Sequence, residues 1–221
     1  MRRILILSIA AALVITGCKK KTGTISTPVT VSYPIITISG SQYVSIRVGG
    51  SFTPPSATAW DTFYKEKPTV VKNLGTLDNT KPGLYTVTYS AKNHYGFEGT
   101  ANVYVAVTDV SDSLDLSGYY IRTVSPANPS RVAFVTKLGQ GLFMTSNVGG
   151  VDTGNSATGA VVSAVFAVLD PTTIDFGNQL TSAGTLTANT TSLSLAVADT
   201  TLNYALSLSG FGTQVRTFKK Q

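Results

Sequence analysis

The sequence predicts an all-β protein made of two consecutive antiparallel bodies. Apolar and polar residues alternate instead of recurring at helical spacing, and Thr, Ser, Val, Tyr and Gly dominate the composition. Gly, Pro, Asn or Asp interrupts the chain roughly every eight to twelve residues, as in proteins with many short strands. Beyond an N-terminal leader and spacer, about 190 residues remain, a length that suits two domains.

The N-terminus has the layout of an export signal. Arg2 and Arg3 precede an apolar run at 4–15, which is shorter than the ~20 residues of a membrane span. The following Ile15-Thr16-Gly17-Cys18 is similar to the lipobox of bacterial lipoproteins, in which the Cys accepts diacylglycerol. We therefore expect a signal peptide at 1–17 and lipidation of Cys18. The alternative is an uncleaved helix with a free, buried Cys.

A tether at 18–32 is expected to carry most of the excess positive charge. The whole chain has a net charge of +6, but residues 22–221 hold twelve basic and eleven acidic residues. Lys19, Lys20 and Lys21 lie either against anionic headgroups or in solvent. The folded part shows no basic stripe, so nucleic-acid binding is disfavoured. The lipid anchor makes a membrane the expected partner.

The composition argues against an enzyme. The chain has one His, one Cys and one Trp. A zinc site needs three or four converging ligands, and a nucleophilic triad needs a His beside its nucleophile. We expect no catalytic residue, no metal site and no cofactor.

The first body begins near Tyr33, and the short loops between its strands predict a two-sheet sandwich with antiparallel pairs only. Its turns are expected at Gly49-Gly50, Lys81-Pro82-Gly83 and 93–96. The expected strands alternate apolar and polar residues: Ile35–Ile38, Tyr43–Val48, Leu84–Ser90 and Thr100–Val107.

Several segments of this body carry a family resemblance: 34–40, 48–52, Ala57-Thr58-Ala59-Trp60-Asp61, 80–91 and Tyr95-Gly96. Together they resemble the bacterial immunoglobulin-like domain of surface receptors and adhesins, which implies a non-enzymatic β-sandwich over 33–109. Where that family usually carries an Asp-Gly-Asp-like turn, this chain has Thr62-Phe63-Tyr64-Lys65, so no metal-stabilised loop is expected there.

A linker at 110–116 leads to a second all-β body at 117–221, expected as a barrel, a half-barrel or another sandwich. The expected strands are 119–124, 131–137, 141–147, 159–168, 173–176, 184–188, 192–197, 202–209 and 214–218.

The segments Gly118-Tyr119-Tyr120 and 141–150 extend the resemblance. They are similar to the C-terminal part of a two-domain lipoprotein family of Bacteroidetes-type polysaccharide-utilisation systems, itself of unknown function. The resemblance implies an outer-membrane lipoprotein, facing the cell surface or the periplasm, that captures glycans for an outer-membrane importer.

A glycan site needs aromatic faces for sugar CH groups and polar side chains for hydroxyls. We expect Trp60, Tyr64, Tyr95 and Phe97 to supply the rings, with Asp61, Asn93 and His94 as the polar rim. In the alternative, Trp60 fills the sandwich core, Tyr95 packs under its turn and His94 is only a turn residue.

Two functions are therefore open. One is a glycan-binding accessory of a polysaccharide-uptake system. The other is a structural or adhesive surface module that contacts proteins.

Overall fold

The computed structural model describes residues 29–123, 128–154, 161–196, 199–208 and 215–221. Within these ranges every regular element is a β-strand, which confirms the predicted all-β class. Ser32–Gln221 forms one compact unit. The predicted signal peptide, the lipidation site Cys18 and most of the tether lie outside the described residues.

In the described part of the chain, six strands form the N-terminal body, here called the sandwich: β1 (Ile35–Ser39), β2 (Tyr43–Ile46), β3 (Ser56–Trp60), β4 (Val70–Asn73), β5 (Gly83–Lys92) and β6 (Glu98–Val107). The strands β2, β6, β5 and β4 form one sheet in that order, and β1 pairs with β3 in a second.

Alternation along β5 and β6 builds the interior of the sandwich. Val87 and Tyr89 of β5 and Val103 and Val105 of β6 are fully buried and face the second sheet. Ile36 of β1 packs against them. Two sheets that bury alternate residues against each other form the predicted β-sandwich.

One strand pair is not antiparallel, so the expectation of antiparallel pairs only was wrong. β2 runs parallel to β6, with Tyr43 opposite Tyr104 and Ile46 opposite Val107. That expectation followed from the short loops between successive strands. β2 and β6 are about fifty residues apart in the sequence, and this long path supplies the crossover that a parallel pair requires.

Nine further strands of the described chain form the C-terminal body, here called the large sheet: β7 (Gly118–Arg122), β8 (Val132–Gly139), β9 (Leu142–Thr145), β10 (Ala164–Asp170), β11 (Thr173–Asp175), β12 (Gln179–Thr181), β13 (Gly184–Ala196), β14 (Asp199–Ser207) and β15 (Val215–Lys220). Their order is β11-β10-β9-β8-β7-β15-β14-β13-β12.

The large sheet curls into a half-barrel, one of the architectures expected from the sequence. Its two ends approach each other, because Leu193 N of β13 donates a hydrogen bond to Thr172 O in the β10–β11 turn at 2.7 Å. The concave side holds a chain of rings in stacked, tilted and edge-on contact, whose successive centroids lie 4.7 to 5.6 Å apart: Phe143, Phe166, Phe176, Tyr204 and Phe218.

The strand β13 corrects a second expectation. Gly184–Ala188 and 192–197 were expected as separate strands, but β13 continues through the intervening residues. Its pairing with β14 shifts between Ala188 and Thr190, as at a β-bulge. A bulge adds an unpaired residue without ending the strand. The polar residues between Ala188 and Ser192 therefore have the composition of a turn, although the strand continues through them.

The sandwich and the large sheet share an apolar contact. Leu84 and Ala106, on the outer face of the sandwich, pack against Leu142, Val165 and Ala167 of the large sheet. The backbone N–H of Leu84 also donates a hydrogen bond to an Asp175 carboxylate oxygen of the large sheet at 2.8 Å.

The segment at 110–116, expected as a linker, lies against the large sheet. Leu116 is buried in the core of the large sheet, and Val110 and Leu114 pack against the same core. At the sandwich end, the Thr108 hydroxyl donates a hydrogen bond to Val168 O at 2.6 Å.

Candidate functional site

A buried carboxylate organises the loop that follows β3. Asp61 is fully buried, and its oxygens accept hydrogen bonds from the Ser32 hydroxyl, Asn93 Nδ2 and the backbone N–H groups of Phe63 and Tyr64, at 2.8 to 3.0 Å. Two of these donors belong to the loop itself, which is the geometry of an Asx turn. The carboxylate therefore holds the loop against the β5–β6 turn and the segment before β1.

These contacts keep Asp61 ionised. Burial raises the pKa of its carboxyl, but the four hydrogen bonds outweigh burial and hold the pKa below its ordinary value. The group is therefore a structural anion inside the protein. It does not form the exposed polar rim that the sequence suggested, because all of its surface is covered.

The side chain of Asn93 also stabilises the local structure. Its Nδ2 donates to Ser32 O and to Asp61, and its Oδ1 accepts from the backbone N–H groups of Tyr95 and Phe97 at 3.1 and 3.0 Å. These bonds occupy both ends of the amide and shape the β5–β6 turn. Asn93 is buried as well, so its expected role in the rim is also wrong.

Around these two residues lies an exposed group of rings, the aromatic cluster: Phe63, Tyr64, His94 and Tyr95. Tyr64 is central, with its centroid 4.9 Å from Phe63, 4.7 Å from His94 and 5.0 Å from Tyr95. His94 and Tyr95 lie 4.0 Å apart. Phe63 is 56% exposed and Tyr95 48% exposed, so the cluster offers apolar ring surface to solvent.

Glu66 fixes the position of His94. The two oxygens of Glu66 lie 3.1 Å from the His94 backbone N and 3.0 Å from its Nδ1. A carboxylate only accepts hydrogen bonds, so Nδ1 carries the proton and the His94 ring is oriented from one side. The result is a polar group at the edge of the aromatic cluster, and the role of His94 in a glycan rim stays a prediction.

Trp60 and Phe97 lie outside the aromatic cluster. Trp60 is 38% exposed and lies opposite Ile35 in the β1–β3 pair, so its alternative place in the sandwich core is wrong. The core position on β3 belongs to its neighbour Ala59. Phe97 packs edge-on against Tyr33, with centroids 5.9 Å apart, and forms a separate aromatic pair.

Sequence reasoning missed Phe63 and Tyr33 as exposed rings. The signal for Phe63 was present, because an Asp two residues before an aromatic residue in a loop can accept the backbone N–H of that residue and turn its ring outward. Tyr33 precedes the first strand, and nothing in its sequence context indicates that its ring meets Phe97.

The described ranges contain no group of three or more His, Cys, Asp and Glu residues that could hold a metal ion. Within the same ranges, no helix is long and apolar enough to cross a membrane.

Comparison with known proteins finds a family match for one segment of the chain. Residues 36–107, about a third of the chain, match the family model described as bacterial surface protein, Ig-like domain, which confirms that resemblance for the sandwich. Among solved structures, that of a lipoprotein from Bacteroides thetaiotaomicron is similar, with 22% identity and a TM-score of 0.37, over 85% of this chain and 100% of that chain. No curated protein matches the chain.

Proposed function

We propose that this protein is a lipid-anchored protein of the outer membrane that binds glycans through the aromatic cluster, as an accessory of polysaccharide uptake. The family match of the sandwich supports the coarser statement that it is a cell-envelope surface protein. The lipid anchor on Cys18, the polysaccharide and the importer components as partners belong to the proposal, and no catalytic role is proposed.

The observation that carries this proposal is the exposure of several rings at one end of the sandwich. Phe63 and Tyr95 present apolar ring surface beside Tyr64. The face of an aromatic ring attracts the weakly positive CH groups of a pyranose and covers its apolar side. The Tyr64 and Tyr95 side chains carry hydroxyl groups and His94 carries ring nitrogens, which are suitable partners for sugar hydroxyls.

The loops of the aromatic cluster are also preorganised in the absence of a ligand. The hydrogen bonds of Asp61 and Asn93 fix the two loops that carry the rings. A ligand then binds with little further ordering of the backbone, which lowers the entropic cost of binding.

The test is retention of the purified protein in native gels that contain soluble polysaccharides. We expect a Phe63→Ala, Tyr95→Ala double variant to lose retention on any polysaccharide that retards the wild type. Tyr119→Ala is a matched control, because Tyr119 is an exposed aromatic residue of the large sheet that contacts Phe134, outside the aromatic cluster. Retention of the double variant equal to that of wild type would contradict the proposal.

The alternative function, a structural or adhesive module that contacts proteins, has one observation of its own. β4 is an edge strand of the four-stranded sheet, since among the described strands it pairs with β5 alone. Its Val71 is largely exposed, and Leu74 just beyond it is about half exposed. An edge strand offers unpaired backbone groups to an added strand. If this edge carries the function, Val71→Lys abolishes binding of cells or proteins while retention on polysaccharide stays unchanged.

A further inference from the structure

A cleft of about 690 Å³ lies beside the segment that joins the sandwich to the large sheet. Its volume is within the range of small-molecule sites, about 300 to 1,000 Å³. The apolar part of its lining consists of Val110, Leu114, Leu169, Pro171 and Leu195. These side chains come from three separate segments, so the cleft exists only where the folded chain brings the segments together.

The first wall of the cleft is the joining segment, which is held to the large sheet by two hydrogen bonds and turned by one within the segment itself. Gln140 Nε2 donates to Val110 O at 2.7 Å, and Leu114 N donates to Ser111 O at 3.1 Å. The Lys137 ammonium donates to the backbone oxygen of Asp112. These contacts fix the backbone of the joining segment on the large sheet.

The other two walls are joined to each other. The Leu193 N–H bond to Thr172 O connects β13, which carries Leu195, to the turn that carries Pro171. Leu195 also packs against the main apolar core. The cleft is therefore formed in the absence of a ligand, as binding sites for small molecules usually are.

The rim of the cleft is acidic. Asp109, Asp115 and Asp170 line it, and its described lining includes no Lys, Arg or His. Lys137 and Lys220 lie outside the lining, and Lys137 forms an ion pair with Asp112 at 3.3 Å. Both cations act on Asp115, which leaves Asp109 and Asp170 as the rim carboxylates without a cation beside them in the lining. An apolar floor under several carboxylates attracts a molecule that has an apolar body and a positive charge.

Two of these carboxylates are held in the ionised form. The Thr172 side chain, followed by the Thr172 backbone, donates hydrogen bonds that lower the pKa of Asp170. The side chain and backbone of Ser117 lower the pKa of Asp115 in the same way. The rim is thus negative at neutral pH.

We propose that this cleft binds a small amphipathic cation, an aliphatic or aromatic body that carries a protonated amine. The apolar part lies on Leu114, Leu169 and Leu195, and the amine lies at the carboxylate rim. This site is separate from the aromatic cluster in residues and in chemistry, and it does not depend on glycan binding.

The test uses two fluorescent probes of similar size and the full folded protein. One probe is a dansyl group joined to a primary amine by a five-carbon chain, and the other carries a carboxylate in place of the amine. Fluorescence anisotropy should show saturable binding of one amine probe per chain, with the carboxylate probe bound at least about fivefold more weakly. Equal binding of the two probes, or no saturable binding of the amine probe, would overturn the proposal.

Two variants locate the binding. Asp170→Asn keeps the oxygen that accepts from Thr172 but removes the charge, and should weaken binding of the amine probe roughly two- to fivefold. Ser113→Trp places a large side chain in the cleft from an exposed position and should abolish binding, with folding checked by circular dichroism. Unchanged affinity in the folded Ser113→Trp variant also overturns the proposal. Phe63→Ala, Tyr95→Ala should bind the amine probe as the wild type does, which separates this test from that of the glycan site.

Discussion

Gly177 offers a quantitative test of the contact between the sandwich and the large sheet. Its φ is +54°, and a Cβ at this position would lie 2.5 Å from the backbone oxygen of Leu84. Replacement by Ala costs about 1 to 2 kcal/mol for the left-handed backbone. The clash also displaces the Leu84 backbone, whose N–H is bound to Asp175, and loss of that hydrogen bond costs about another 1 to 2 kcal/mol.

Gly49→Ala is the matched control for this substitution. Gly49 has φ of +77°, and a Cβ there would meet no atom within 4 Å. Gly49→Ala therefore loses only the free energy that Ala requires to adopt the left-handed backbone conformation. We expect Gly177→Ala to lower the free energy of unfolding by about 2 to 4 kcal/mol, and Gly49→Ala by about 1 to 2 kcal/mol.

The assay is unfolding by a chemical denaturant, monitored with two spectroscopic signals. Trp60 is the only Trp of the chain and lies in the sandwich, so its fluorescence reports on that body, whereas far-ultraviolet circular dichroism reports on all strands. If the contact couples the two bodies, the unfolding midpoints from both signals should shift together to a lower denaturant concentration in Gly177→Ala. A Gly177→Ala variant no less stable than Gly49→Ala would refute the reasoning.

Three other measurements test the buried groups. Because the folded-state pKa of Asp61 is lowered, the ionised carboxylate stabilises the fold above the ordinary pKa of 3.8, and this stabilisation is lost as pH falls through the folded-state pKa. In denaturant titrations from about pH 5 downward, Asp61→Asn should therefore lose less unfolding free energy than the wild type. Phe166→Ala should cost about 3 to 5 kcal/mol in the same titrations at neutral pH, because its ring is fully buried, whereas Phe63→Ala should change stability by less than about 0.5 kcal/mol. Burial raises the pKa of Tyr204, so Tyr204→Phe should leave the phenolate absorbance of the folded protein at about pH 11 unchanged, and a smaller absorbance in the variant would contradict its burial.

The long strands of the sandwich could be predicted from the sequence because one side of each is buried. In β5, Val87, Tyr89 and Ala91 are buried while Thr86, Thr88 and Ser90 are partly exposed, which gives a clear period of two. β3 and β4 have five and four residues, and in β4 no residue is fully buried. A strand so short and so exposed carries too little alternation to be recognised.

The candidate site shows why side-chain roles are harder to predict than strands. Asp61, Asn93 and His94 are all polar residues in loops, and their sequence context does not distinguish them. Only the fold brings Ser32, far away in the sequence, to Asp61 and Asn93, and this contact covers those two groups while His94 remains exposed. Tyr95 is exposed for the same reason, since the amide of Asn93 shapes the turn beneath it.

The position of β15 affects how the large sheet can assemble. This strand is the last of the described strands in the sequence, yet it lies between β7 and β14 near the middle of the sheet. Until residues 215–220 have been synthesised, β7 and β14 each expose an edge where β15 will pair, and the two parts of the sheet have no strand between them. A polypeptide that lacks this segment retains two open edges, prone to self-association, so only a chain that includes β15 can join the two parts of the large sheet.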